Sequence, residues 1–148
     1  MKINISLYLK NLFIYTISFC VGIFLITYIL KIPHLVTGNY KIVNQYYLSN
    51  FTNNIPLDYL FVILYFLVGY IFIKIFKISN DLVKILIIAL TTALLTGGFC
   101  YYFTSKELTS NFFSKWFHTV GYTSVLYDVI LLVFIYIIYL YLDKVIKN

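Results

Sequence analysis

Four long apolar runs, separated by shorter polar stretches, dominate the hydrophobic pattern of this chain. They cover residues 11–30, 58–77, 84–103 and 122–142. Each run is long enough, or nearly so, to cross about 30 Å of hydrocarbon as an α-helix rising about 1.5 Å per residue. Because backbone polar groups in lipid must be paired within their own segment, these β-branched runs are predicted to be helices. The pattern predicts an all-α fold, a four-helix transmembrane bundle in a single integral membrane domain.

A shorter amphipathic pattern precedes the fourth run, over residues 106–119. Its apolar side chains recur at helical spacing and define one face, whereas the opposite face is polar and includes His118. The apolar positions are Leu108, Phe112, Phe113, Trp116, Phe117 and Val120. We expect a helix capped by Thr104 or Ser105 that lies in the outer membrane interface, with Trp116 at the level of the lipid headgroups.

Composition agrees with a membrane protein, since 62% of the 148 residues are hydrophobic and only 11% are charged. The net charge of +6 comes from scattered lysines without any arginine, so nucleic acid is not an expected partner. The lipid bilayer is the expected partner. We find no metal-ligand spacing, nucleophile motif or phosphate-binding loop, and therefore predict no cofactor and no enzymatic activity.

The lysines also indicate an orientation. Seven of them fall on the side that holds both termini and four on the other side, which favours two cytosolic termini. In that orientation the first outer segment, residues 31–57, faces the lumen and contains the glycosylation sequon that begins at Asn50. The asparagines, prolines and glycine of this segment predict a partly ordered loop near the headgroups.

Residues 119–122 read Thr-Val-Gly-Tyr, four of the five residues of a potassium-channel selectivity filter. Such a filter lines the ion path with backbone carbonyls and depends on its glycines. Here Thr123 stands where the second glycine is required. The sequence therefore favours a helix that ends at Gly121 and a turn into the last span.

Asp128 is the most informative polar residue, because it lies inside the last apolar run. An acid at the middle of a membrane helix costs about 3 kcal/mol, so a polar partner is expected. By depth, the candidate partners are Thr96, Ser124 and a neighbouring tyrosine such as Tyr127. His118 lies ten residues earlier and could also approach this carboxyl.

The third run carries small residues at Ala89, Ala93 and Gly97, four positions apart. Such a ridge lets another helix approach closely. We expect the last span to pack there, bringing Asp128 to Thr96. Three roles for Asp128 then stay open: a structural hydrogen bond, a proton or cation path, and a catalytic acid working with His118.

The stretch "FFSKWFHTVGYTSVLYDVILL", residues 112–132, resembles the C-terminal part of small four-span membrane proteins of large nucleocytoplasmic DNA viruses. The stretches "PLDYLFVILYFLVGY" and "LTGGFCYYF" resemble the second and third spans of the same proteins, extending the resemblance over residues 56–140. It implies a viral source and a host endomembrane or virion membrane, and it implies no activity.

The favoured function is a non-enzymatic structural or assembly component of such a membrane, with itself or other membrane proteins as partners. The alternative is a small oligomeric ion or proton channel, or a transporter, centred on Asp128.

Overall fold

The computed structural model describes residues 5–147, and every described element is helical. The helices are α1 (Ile5–Ile23), α2 (Ile32–Thr37), α3 (Tyr40–Asn44), α4 (Phe51–Ile75), α5 (Asp81–Thr104), α6 (Phe112–Val120) and α7 (Thr123–Lys147). π-Helical turns at Phe24–Ile29 and Gln45–Ser49 extend α1 and α3. The predicted all-α fold is confirmed for this part of the chain.

Four of these helical segments are long and apolar enough to cross a membrane. They are Leu9–Ile29, Phe51–Ile75, Asp81–Thr104 and Thr123–Ile146, with mean hydropathies of 2.0 to 2.4. The helix that contains the second predicted run begins at Phe51, seven residues before the predicted start. Pro56 lies inside α4, where its missing N–H costs one helical hydrogen bond. Two residues earlier, the Asn54 side chain anchors the helix by donating to the Tyr46 carbonyl at 3.1 Å.

The segment between α1 and α4 is not the predicted loop. α2, α3 and the following π-helical turn fold back against the bundle and bury Val43, Tyr46 and Tyr47. Positive φ angles at Lys31 and Gly38 reverse the chain on either side of α2, and Gly38 has the residue type that tolerates such an angle. The prediction failed because Tyr46 and Tyr47 of this segment pack against rings on α6 and α7, which lie far away in the sequence.

α7 is the central helix of the bundle and packs mainly against α1 and α5. One close approach occurs at Gly22 of α1, where an added Cβ would collide with Ile135 of α7. Another joins α4 to α5, because a Cβ on Gly69 would lie 2.5 Å from Ile88 Cδ1. These two glycines allow neighbouring helices to approach more closely than any side chain would permit.

The predicted small-residue ridge is not such a contact. A Cβ added at Gly97 would meet no atom within 4 Å, and Ala89 and Ala93 are half-buried. α5 instead buries the adjacent face that carries Thr92 and Thr96, which are fully inaccessible. The prediction of close approach at the ridge was therefore wrong, because the helix is rotated so that the threonines face the interior.

The start of α1 and the end of α7 lie at the same end of the bundle, where charged side chains connect the helices. Asp81 at the start of α5 pairs with Lys84 at 2.8 Å and with Lys144 of α7 at 2.6 Å. Lys10 of α1 reaches the Ile146 carbonyl of α7 at 3.4 Å. The four long helices therefore run alternately up and down.

α6 is shorter than predicted, since it begins at Phe112 rather than at residue 106. The side chain of Asn111 caps it by accepting from the Phe113 amide at 2.9 Å. Thr104 and Ser105 do not cap this helix, because their hydroxyls donate to carbonyls at the end of α5. α6 ends at Gly121, whose φ is 54°, and the predicted turn into the last long helix is confirmed.

Candidate functional site

Asp128 accepts a hydrogen bond from Thr96, as the sequence predicts. Thr96 Oγ1 on α5 lies 2.8 Å from Asp128 Oδ2 on α7. The same hydroxyl lies 3.2 Å from Tyr65 Oη on α4. Because a hydroxyl has a single proton, Thr96 donates either to Asp128 or to Tyr65 at any one time. The three residues form a hydrogen-bonding chain across three helices, with the Thr96 hydroxyl between the carboxylate and the phenol.

A second carboxylate, Asp58 of α4, lies in the same part of the bundle. Its Oδ1 accepts from Tyr46 Oη at 2.5 Å, while its Oδ2 is buried and has no hydrogen-bond partner among the described residues. Asp58 and Asp128 are each one to two turns from the start of their helices, and both helices start at the same end of the bundle. The two acids therefore lie at similar depth.

Sequence reasoning missed Asp58 because it placed this residue at the first position of the second run. A helix that begins at Phe51 instead places Asp58 about two turns inside it, where the residue is half-buried. The available signal was a second acid at the edge of an apolar run, with no lysine within one helical turn of it.

Tyr46 supports Asp58 from the segment that was expected to be a loop. Its ring is buried and packs against Trp116 at 4.8 Å and Tyr47 at 4.6 Å between ring centroids. Burial, and then the nearby Asp58 carboxylate, raise the pKa of Tyr46 well above its ordinary value. Tyr46 therefore stays neutral at physiological pH and keeps its proton to donate to Asp58.

Both carboxylates line one cavity of about 150 Å³. Its wall is mainly aromatic and contains neither lysine nor histidine. The aromatic residues are Tyr46, Tyr47, Phe61, Tyr65, Phe99, Phe103, Phe113, Trp116 and Phe117. They come from α4, α5, α6 and the π-helical turn after α3. No single sequence segment contains this site.

Trp116 is a wall residue of the cavity. It is 5% exposed, so its ring contacts the bundle, and its depth at the lipid headgroups stays a prediction. Phe117 beside it stacks on Phe103 of α5 with an interplanar angle of 7° and 5.4 Å between centroids. The apolar face of α6 thus packs against the bundle and closes one side of the cavity.

Two other predicted partners lie near Asp128 without bonding to it. Ser124 is buried and donates to the Gly121 carbonyl at 2.6 Å. The Tyr127 hydroxyl is 3.0 Å from Thr27 Oγ1 on the opposite side of α7. Both residues strengthen the start of α7, and neither provides a donor to the carboxylate.

His118 and Asn50 lie outside the site. His118 is exposed on α6 and is not part of the cavity wall, so the structure does not bring it together with Asp128. Asn50 is half-buried where the π-helical turn meets α4, and its carbonyl accepts from the Asn54 amide at 3.0 Å. Glycosylation at Asn50 stays a prediction.

The donor set limits the chemistry of the cavity. Within the described residues, no group of three or more His, Cys, Asp or Glu side chains could hold a metal ion. Two carboxylates with tyrosine and threonine hydroxyls can bind protons or a single cation.

Comparison with protein-family models, curated proteins and solved structures finds no match to this chain. The resemblance to viral membrane proteins therefore stays a prediction. Evidence about function comes from the cavity and its two carboxylates.

Proposed function

We propose that this protein crosses a membrane four times, through α1, α4, α5 and α7, with both termini in the cytosol and α6 at the outer interface. The outward surface of α5 supports this, because Leu86, Leu90 and Leu94 form an exposed stripe along it. Leu94 alone is 75% exposed. Exposure of such a continuous apolar surface to water would be unfavourable, whereas in a membrane lipid chains would cover it.

Within that membrane, the protein binds a cation or protons in the cavity between Asp58 and Asp128. The observation that carries this function is the buried Asp58 Oδ2 without a partner. A buried carboxylate that only held helices together would be expected to have both oxygens satisfied, because an unsatisfied one costs free energy. Asp58 and Asp128 also line a cavity whose wall contains no lysine, and such a cavity is suited to a positively charged occupant.

We further propose that the bound cation or proton moves across the membrane, so that the protein acts as a small channel or transporter. At 148 residues, the chain would assemble with further copies to enclose a complete path. Asp128 and its chain to Thr96 and Tyr65 provide a route along which a proton can be handed between hydroxyls.

A structural or assembly role is the second candidate, and the same chain supports it. The contacts among Tyr65, Thr96 and Asp128 tie three long helices together. Under this alternative, the two carboxylates contribute only to stability. The unmodified protein would then transport nothing, and replacing Asp58 or Asp128 by asparagine would not change that.

The test is flux through proteoliposomes that contain the full chain, with imposed proton and potassium gradients read by fluorescent indicators. We expect flux above that of protein-free liposomes, and at least a tenfold loss in Asp58→Asn and in Asp128→Asn. Each amide can still accept the existing hydrogen bond, so the fold should survive. Glu107→Gln is the matched control, since Glu107 is exposed in the loop before α6. No flux from the unmodified chain would support the structural role, whereas equal flux in all variants would refute the part assigned to the two carboxylates.

A further inference from the structure

We propose that the occupant of the cavity is a small organic ammonium ion, one that pairs a protonated amine with an apolar group. This inference rests on the cation-binding function and specifies its ligand class. It follows from three properties of the cavity: its aromatic wall, its two carboxylates and its volume.

The wall presents aromatic rings from several directions. Tyr46 and Trp116 lie 4.8 Å apart, and Phe103 lies 5.4 Å from Phe117 and 6.4 Å from Phe113, measured between ring centroids. Ring faces attract ammonium ions through their quadrupole, and they also cover the hydrocarbon part of a ligand. An aromatic wall is a poor replacement for the water shell of a metal ion.

Only two acidic side chains line the cavity, and within the described residues no group of three or more His, Cys, Asp or Glu side chains could hold a metal ion. Calcium takes six to eight oxygen ligands, and magnesium requires six in near-ideal octahedral geometry. Here the polar groups are two carboxylates and the hydroxyls of Tyr46, Tyr47 and Tyr65, with Thr96 behind Asp128. An ammonium group needs only one or two carboxylate acceptors, and the cavity is lined by two, Asp58 and Asp128.

The volume limits the size of the ligand. A protein cavity of about 150 Å³ holds one benzene molecule, and this cavity has about that volume. Amines with a single ring or a short branched chain therefore fit, whereas larger drug-like cations do not.

Trp116 makes binding directly measurable. It is the single tryptophan of the chain and lies in the cavity wall. A cation placed beside its indole changes its emission, while a ligand held elsewhere on the protein leaves the emission unchanged.

The experiment uses the full chain in detergent, titrated at neutral pH with benzylamine and with uncharged benzyl alcohol, a probe of almost the same shape. Tryptophan emission and calorimetry both measure the affinity. We expect saturable benzylamine binding, at least tenfold tighter than that of benzyl alcohol. Asp58→Asn should weaken benzylamine binding at least tenfold, and Glu107→Gln should leave it unchanged.

Equal affinity for the two probes would overturn the inference, because it would indicate an apolar pocket that ignores charge. Displacement of benzylamine by millimolar potassium or calcium chloride would also overturn it, in favour of a metal ion. If Asp58→Asn does not fold, the relative affinities of benzylamine and benzyl alcohol for the unmodified chain are sufficient to test the inference. Carboxylate-dependent proton flux without benzylamine binding would refute the ligand class and leave the proposed function intact. Absence of both carboxylate-dependent flux and benzylamine binding would refute the proposed function as well as the ligand class.

Discussion

Replacing Thr96 by valine removes the hydroxyl that lies between Asp128 and Tyr65 while keeping the shape of the side chain. Two contacts disappear, at 2.8 Å to the carboxylate and 3.2 Å to the phenol. A hydrogen bond to a charged group contributes about 1.5–3 kcal/mol, and leaving its partner buried without a donor adds to the cost. The added methyl group recovers about 1 kcal/mol of apolar burial. We expect Thr96→Val to destabilise the fold by about 2–3 kcal/mol.

The matched control lies one turn earlier on the same helix. Thr92 is equally inaccessible, but its hydroxyl has no partner among the described residues. Thr92→Val therefore removes an unsatisfied polar group and should be neutral or stabilising by up to about 1 kcal/mol. The two variants share chemistry, helix and burial, so the difference between them isolates the contacts of Thr96.

The assay is reversible unfolding in mixed micelles, followed by circular dichroism. A double-mutant cycle with Asp128→Asn measures the coupling between the two side chains, which we expect to be about 1–2 kcal/mol. Equal stability of Thr96→Val and Thr92→Val would refute the reasoning, because the chain from Asp128 to Tyr65 would then contribute nothing.

Two further predictions concern the helix contacts and the second carboxylate. Gly22→Ala forces a Cβ against Ile135 and should destabilise the fold by about 1–3 kcal/mol. Gly97→Ala has open space and should be neutral or stabilising by up to about 1 kcal/mol; thermal unfolding of both variants checks the pair, and the reverse order would contradict it. Tyr46→Phe deletes the donor to Asp58 and should cost about 1.5–3 kcal/mol in the same micelle assay. A Tyr46→Phe variant as stable as the unmodified protein would show that this hydrogen bond is unimportant.

Part of the site was predictable because Asp128 and Thr96 each lie within a long helix whose ends are visible in the sequence. Counting residues from the helix ends gives depth, and depth was sufficient to name Thr96 among three candidate partners of Asp128, of which the structure selects Thr96. The end of α6 at Gly121 was equally local, since a turn depends on the few residues that form it.

The rotation of a helix about its own axis could not be predicted in this way. This explains the wrong prediction for the small-residue ridge of α5. Small residues at Ala89, Ala93 and Gly97 indicated one face of α5, but its threonine face is the buried one. In a chain that is apolar on most sides, hydropathy does not indicate which face turns inward. Packing against the other helices decides it.

By itself, the sequence determined the four long apolar helices and the need of Asp128 for a polar partner, with Thr96 among three candidates. Both follow from local properties, namely the length of an apolar run and the position of a polar residue within it. Only the tertiary structure decided that Asp58 joins Asp128, and that Tyr46 and Trp116 enclose them in one cavity. These residues are far apart in the chain, and their proximity depends on how five helical segments pack together.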